Sequence, residues 1–318
     1  MRKKISRDEA GNTFANLRLH WPEYAMEAGE VALYMFFACS FATLLRHPAS
    51  PVRHLIVDGI FRRLLYGLAM GGVVIAIIMS PWGKQSGGHL NPALTFTFYR
   101  LGKVRLWDTL YYASAQFLGA IAGTSIARYV LLGSPGNEAV RYAVTVPGMY
   151  GSAAAFAGEL TISFGLMITI LIATSRETLA PYTPYFVGAL YAAYITFETP
   201  LSGMSMNPAR TVGSAFQASY FYALWIYFVA PQLGMLGAAE VFLRARGGMG
   251  PFCAKLHHAN SKRCIFIHSD SGSRETSGSK SEANGPDPRR RTGDWLRAEG
   301  GQPARAKRKS FCPLTLAL

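Results

Sequence analysis

The chain has 318 residues, is 50% hydrophobic and only 16% charged, and carries a net charge of +14. Ordinary soluble domains hold about 25% charged residues, so the composition argues against a water-soluble core. Residues up to about 243 are apolar and aromatic and those after about 246 polar and basic, which locates much of the positive charge in a tail and argues against a nucleic-acid-binding domain.

In chain order, residues 1–21 are polar, carry Arg2, Lys3, Lys4, Arg7 and Arg18, and lack the apolar stretch of a signal peptide. Apolar runs follow at 25–45, 64–79, 110–132, 154–174, 186–197 and 220–242. Most approach the ~20 residues that cross a ~30 Å hydrocarbon core, and the second and fifth lengthen through their flanks. The predicted fold class is an all-α membrane protein with six transmembrane helices. Six spans put both termini on one side, and the positive-inside rule makes that side the cytoplasm, with the cell membrane the expected location. Arg46, Arg53, Arg62 and Arg63 then face outward, against the rule. Cys39 lies mid-span and Cys253, Cys264 and Cys312 in the tail, so structural disulfides are not expected.

The sequence repeats itself. SGGHLNPALTF begins at Ser86 and SGMSMNPARTV at Ser202. Glu27 precedes the first copy and Glu159 the second, and each copy is followed by a Tyr seven residues before a Gly: Tyr112 and Gly119, then Tyr227 and Gly234. With three spans per half, the second copy enters the membrane from the opposite side, which predicts an inverted repeat over about 22–132 and 151–246.

Neither Asn-Pro-Ala segment is long enough to cross. Nine or ten helical residues reach ~14 Å, about half the bilayer core. Asn followed by Pro is a strong helix start, so each segment reads as an extended loop going in and a half-helix coming back. Inversion brings the two half-helices together at their N-termini, each bearing about +0.5 of a unit charge, and that positive hill repels cations and hydronium. The side-chain oxygens of Asn91 and Asn207 cap their own helices, and their NH₂ groups are left as donors to a passing water or alcohol. The carbonyls of Gly87, Gly88 and His89, and of Gly203, Met204 and Ser205, are expected to line the path.

Residues 22–245 resemble the major intrinsic proteins, the aquaporins and glycerol facilitators, on Ser86-Gly87-Gly88-His89-Leu90-Asn91-Pro92-Ala93, Asn207-Pro208-Ala209-Arg210, Glu27, Glu159 and Gln116. The resemblance implies an aquaporin-like channel domain at 22–246, passive conduction of water with exclusion of protons and ions, no enzyme activity, no cofactor and a homotetramer in the lipid bilayer. It implies that Glu27 and Glu159 buttress the two loops; Glu30 is an extra acid the pattern does not predict. Matching offsets to the motifs places the selectivity filter at Gly71, Ile195, Met204 and Arg210, a wide and apolar ring apart from the arginine. Gly71 also reads as a helix-packing residue through the Gly67-x-x-x-Gly71 spacing. Glycerol facilitators resemble one another in an Asp after the motif Arg, where this chain has Thr211, and in a basic residue where it has Ala215. Water is therefore the favoured permeant; the alternatives are a facilitator of glycerol or other small neutral solutes, and a membrane scaffold with little flux.

Residues 247–318 read as a basic, largely disordered cytoplasmic tail. Cys253, His257, His258 and Cys264 are potential soft-metal ligands, but their spacing is not a standard zinc pattern. The favoured reading is a basic segment on anionic lipid, with no metal site.

Overall fold

The computed structural model describes residues 13–268. Arg2, Lys3, Lys4, Arg7, Cys312 and the basic runs at 289–291 and 305–309 lie outside them. The described residues contain helices and no strand. In order, the helices are α1 (Thr13–Arg46), α2 (Pro51–Leu55), α3 (Gly59–Met79), α4 (Pro81–Ser86), α5 (Pro92–Arg100), α6 (Leu106–Val130), α7 (Gly151–Thr174), α8 (Thr183–Phe197), α9 (Thr199–Ser202), α10 (Pro208–Ala218) and α11 (Ile226–Ala245).

Four of these, α1, α3, α7 and α11, are long and apolar enough to cross a membrane by length and composition. The 25-residue α6 and the 15-residue α8, which a short 3₁₀ turn at Ala180–Tyr182 precedes, coincide with the apolar runs at 110–132 and 186–197 but are not among those four. The glycines set how closely these helices meet. At Gly119 and Gly123 of α6 a side chain would strike the carbonyls of Ala28 and Ala32 of α1, and at Gly234 of α11 it would strike the Leu160 carbonyl of α7. Ala28 follows Glu27 and Leu160 follows Glu159, so the same contact is made once in each half. Across the halves, Gly67 and Gly71 of α3 abut the Ala192 and Gly188 carbonyls of α8. Small residues at such spacing let backbones approach without a large apolar driving force between helices in lipid.

The half-helices are α5, with nine residues, and α10, with eleven. Each begins at a proline behind an extended Asn, which is why each starts where it does.

Beyond α11 the chain turns back. Residues 251–268 form no regular element, yet Cys253, Ala254, Lys255 and Leu256 are all buried. The Leu256 amide donates to the Gly87 carbonyl at 3.1 Å, the Ile267 amide to the Lys103 carbonyl at 2.9 Å, and Arg263 to the Leu19 carbonyl at 2.7 Å. This part of the expected disordered tail is packed, because Leu256, Ile265 and Phe266 bury apolar surface against the loop before α5. The start of α1, the Gly87–His89 loop and the returning segment therefore share one face, the terminal face.

Candidate functional site

Asn91 and Asn207 meet at the centre. The Asn91 side-chain oxygen accepts from the Ala93 amide at 2.9 Å, and that of Asn207 accepts from the amides of Ala209 at 3.0 Å and Arg210 at 3.3 Å. Their Nδ2 groups cross over: Asn91 donates to the Met206 carbonyl and Asn207 to the Leu90 carbonyl, each at 2.7 Å. An amide NH₂ has two hydrogens, so one from each Asn ties the halves together and the other is available. The two helix N-termini with their partial positive charges are thereby fixed close to each other.

The loops leading in are not uniformly extended as the sequence suggested, since several of their residues have positive φ. Gly87, Gly88 and Leu90 have φ of 104°, 67° and 54°, and Gly203, Met204 and Met206 have 81°, 53° and 56°. The left-handed region costs a non-glycine residue about 1–2 kcal/mol, and buried acids hold it in place. Glu27 accepts from the Leu90 amide and, at 2.8 Å, from Gln116. Glu159 accepts from the amides of Ser205 and Met206, both at 2.7 Å, and from Ser202 Oγ at 2.6 Å. In the first half the serine has its own acid: Ser86 Oγ donates to Glu30 at 2.8 Å. Glu30 is thus the second member of a pair that together does what Glu159 does alone. Tyr112 and Tyr227 close each arrangement by donating to the Ser86 and Ser202 carbonyls at 2.6 and 2.5 Å.

Towards the face opposite the termini lies a cavity of about 280 Å³ lined by Tyr34, Tyr66, Ile195, Met204, Arg210 and Arg46, among others. Arg210 is buried, and its Nε and Nη1 find no hydrogen-bond partner in the protein. Tyr66 is also buried, donates to the Ala38 carbonyl at 3.1 Å, and carries the Arg46 guanidinium over its ring at 5.1 Å.

The model of the family described as Major intrinsic protein matches residues 20–242. The chain belongs to this family. Among curated major intrinsic proteins, it is 32% identical over 186 residues to Aquaporin NIP2-3 of Zea mays, covering 58% of this chain and 60% of that one. To Nodulin-26 of Glycine max it is 31% identical over 172 residues, 54% and 62% of the two chains. The match thus spans about three-fifths of the length of these relatives. The X-ray structure of the aquaglyceroporin from Plasmodium falciparum superposes with a TM-score of 0.57 at 22% identity, covering 71% of this chain and 94% of that one, and so shares the fold. Fold and family make the chain a multi-pass membrane protein.

Within this major intrinsic protein the predicted site residues do not all converge. Asn91, Pro92, Ala93, Asn207, Pro208 and Ala209 meet at the half-helix starts, and Ile195, Met204 and Arg210 face one cavity. Gly71 does not join them. It is buried against the Gly188 carbonyl, where it serves helix packing. Tyr66, which the sequence reading did not name, lines the cavity, and Gly71 is not among the residues that do. Counting back from Asn91 assumed that α3 runs directly into the loop. Ser80, which caps α4 by accepting from the Gly83 amide at 3.0 Å, and Pro81 insert a six-residue helix there. The Ser-Pro pair was the available signal. The cavity that Arg210 lines has an aromatic wall of Tyr34 and Tyr66. Of the expected lining carbonyls, that of Gly87 accepts from Leu256, a partner no pattern in the sequence indicated.

Proposed function

We propose that this chain is a passive channel for water and small neutral solutes of about glycerol's size, closed to protons and ions. One observation carries the reading: the buried Arg210, whose Nε and Nη1 find no partner in the protein, lines a cavity walled by Tyr66, Ile195 and Met204. A buried guanidinium without a carboxylate is costly unless something polar meets it, and a permeant hydroxyl or water does so. The aromatic and aliphatic walls suit the CH edge of a polyol, while the guanidinium donates to its oxygens.

At the centre, the free N–H of Asn91 and of Asn207 would engage the same oxygen. A water held there as a double acceptor cannot relay a proton to its neighbour. The facing N-termini of α5 and α10 add a positive barrier to cations. The carbonyls of Gly88, His89, Gly203, Met204 and Ser205, and that of Gly87 when Leu256 leaves it, would serve as acceptors along the path. The protein would work in the cell membrane as a homotetramer with a pore in each protomer, both termini in the cytoplasm.

The test is stopped-flow light scattering on proteoliposomes under water, glycerol and urea gradients. The reading predicts water permeability several-fold above empty liposomes, measurable glycerol flux and no proton leak. Folded, reconstituted protein with the permeability of bare lipid, both as isolated and after treatment with a chelator, would overturn it.

A further inference from the structure

The returning segment brings together four side chains that the channel does not use. Cys253, His258, Cys264 and His268 place one potential ligand atom each within 4.8 Å of one another. The two sulfurs lie 3.5 Å apart and are free thiols, and His268 Nε2 is 3.2 Å from the Cys264 sulfur. A tetrahedral zinc ion with bonds of about 2.3 Å to sulfur and 2.0 Å to nitrogen sets its sulfurs about 3.8 Å apart and sulfur and nitrogen about 3.5 Å apart. The observed spacings need only small adjustments.

Further observations point to a ligand. His258 Nδ1 is buried with no hydrogen-bond partner, and such a nitrogen calls for an explanation. Phe252 stacks on His268 at 5.1 Å with the rings 12° from parallel, and meets His258 edge-on at the same distance, so both imidazoles are oriented. Lys255, itself buried, donates to the carbonyls of Lys262 at 3.2 Å and Arg263 at 2.7 Å, drawing the two cysteine-bearing ends together. The sequence suggested His257 as a ligand; His268 takes that place.

The same segment packs on the terminal face. His89 Nε2 donates to the Ala254 carbonyl at 3.0 Å, Phe266 stacks on the His89 ring at 5.1 Å, and the Leu256 amide donates to the Gly87 carbonyl. Phe266 lies where a Gly87 side chain would be, so only glycine at that position permits the contact.

The geometry points to a Cys₂His₂ site for a zinc-class divalent cation that pins residues 253–268 across the terminal mouth of the channel. The ion replaces the two thiol protons and bonds to two sulfurs and two nitrogens. Occupancy holds Leu256 and Phe266 on the Gly87–His89 loop and blocks entry; loss of the ion frees the segment and the Gly87 carbonyl. The gating consequence rests on the channel reading above, whereas the site and the pinning do not.

The experiment uses the full chain, loaded with Zn²⁺ or with Co²⁺ as a spectroscopic probe, and the same protein stripped by a chelator. One ion per chain is expected, with the visible absorption of tetrahedral Co²⁺ bound by thiolates. Amides at 86–90 and 252–268 should exchange about tenfold faster or more after chelation, and water permeability should rise several-fold. Cys264→Ser should abolish binding and behave as the stripped protein, while His257→Ala should bind as the parent does. Absence of stoichiometric binding, a Cys253–Cys264 disulfide in its place, or binding that leaves amide exchange unchanged would overturn the proposal. Binding with protected amides but no water flux in any state would uphold the pinned segment and overturn the channel reading.

Discussion

Tyr66 and Arg46 are stacked, with the guanidinium 5.1 Å from the ring centroid, and both line the cavity that holds Arg210. The stack fixes the aromatic wall and keeps a second positive charge beside the first. Tyr66→Ala removes the wall without touching Arg210. It should raise glycerol and urea permeability relative to water several-fold in the liposome assay. Gly71→Ala, the position suggested by offset alone, should change selectivity little and instead lower the yield of folded protein, because its methyl group strikes the Gly188 carbonyl.

Arg210 and Asn207 act on different solutes. Arg210→Ala takes away the donors at the cavity and should loosen discrimination among neutral solutes. Asn207→Asp keeps the oxygen that caps α10 but puts negative charge where two helix N-termini meet. It should weaken the barrier to cations, read as a sodium or proton leak in liposomes loaded with a pH dye. Equal selectivity in both variants would remove the filter assignment.

Glu159 has the larger load of the buried acids, since it alone accepts from Ser202, Ser205 and Met206. Glu159→Ala strands those donors at a cost of about 1–3 kcal/mol for each buried group left unpaired. It should lower the thermal stability of the detergent-solubilised protein more than Glu30→Ala, which strands only the Ser86 hydroxyl. Equal losses would contradict the division of labour between Glu27 and Glu30.

Gly119 and Gly234 occupy equivalent places in the two halves, against the carbonyls following Glu27 and Glu159. Replacement by Val at either should force α6 from α1 or α11 from α7. Overpacking of a tight contact costs about 1–3 kcal/mol, so both variants should show comparable drops in folded yield by size-exclusion chromatography.

Much of this protein was legible in the chain. Asn-Pro starts a helix for local reasons, through a cap oxygen and a fixed proline φ, so both half-helices were readable from short range alone. The paired Glu, Tyr and Gly landmarks were readable because the sequence states them twice. Local chemistry could not say which residue five places apart would face the cavity, since α4 intervenes between α3 and the loop. It could not give Glu30 a partner, because Ser86 reaches it only through the packing of α4 on α1.

The sequence by itself determined the long apolar helices, the two half-helices with their Asn caps and the doubled architecture, all of which follow from composition, from interactions a few residues long or from repetition. Tertiary structure decided that Tyr66 and not Gly71 walls the cavity, that both loops carry residues of positive φ, and that His268 joins Cys253, His258 and Cys264. Those outcomes depend on groups far apart in the chain being held within a few ångströms, and spacing along a backbone that turns between them carries no record of that distance.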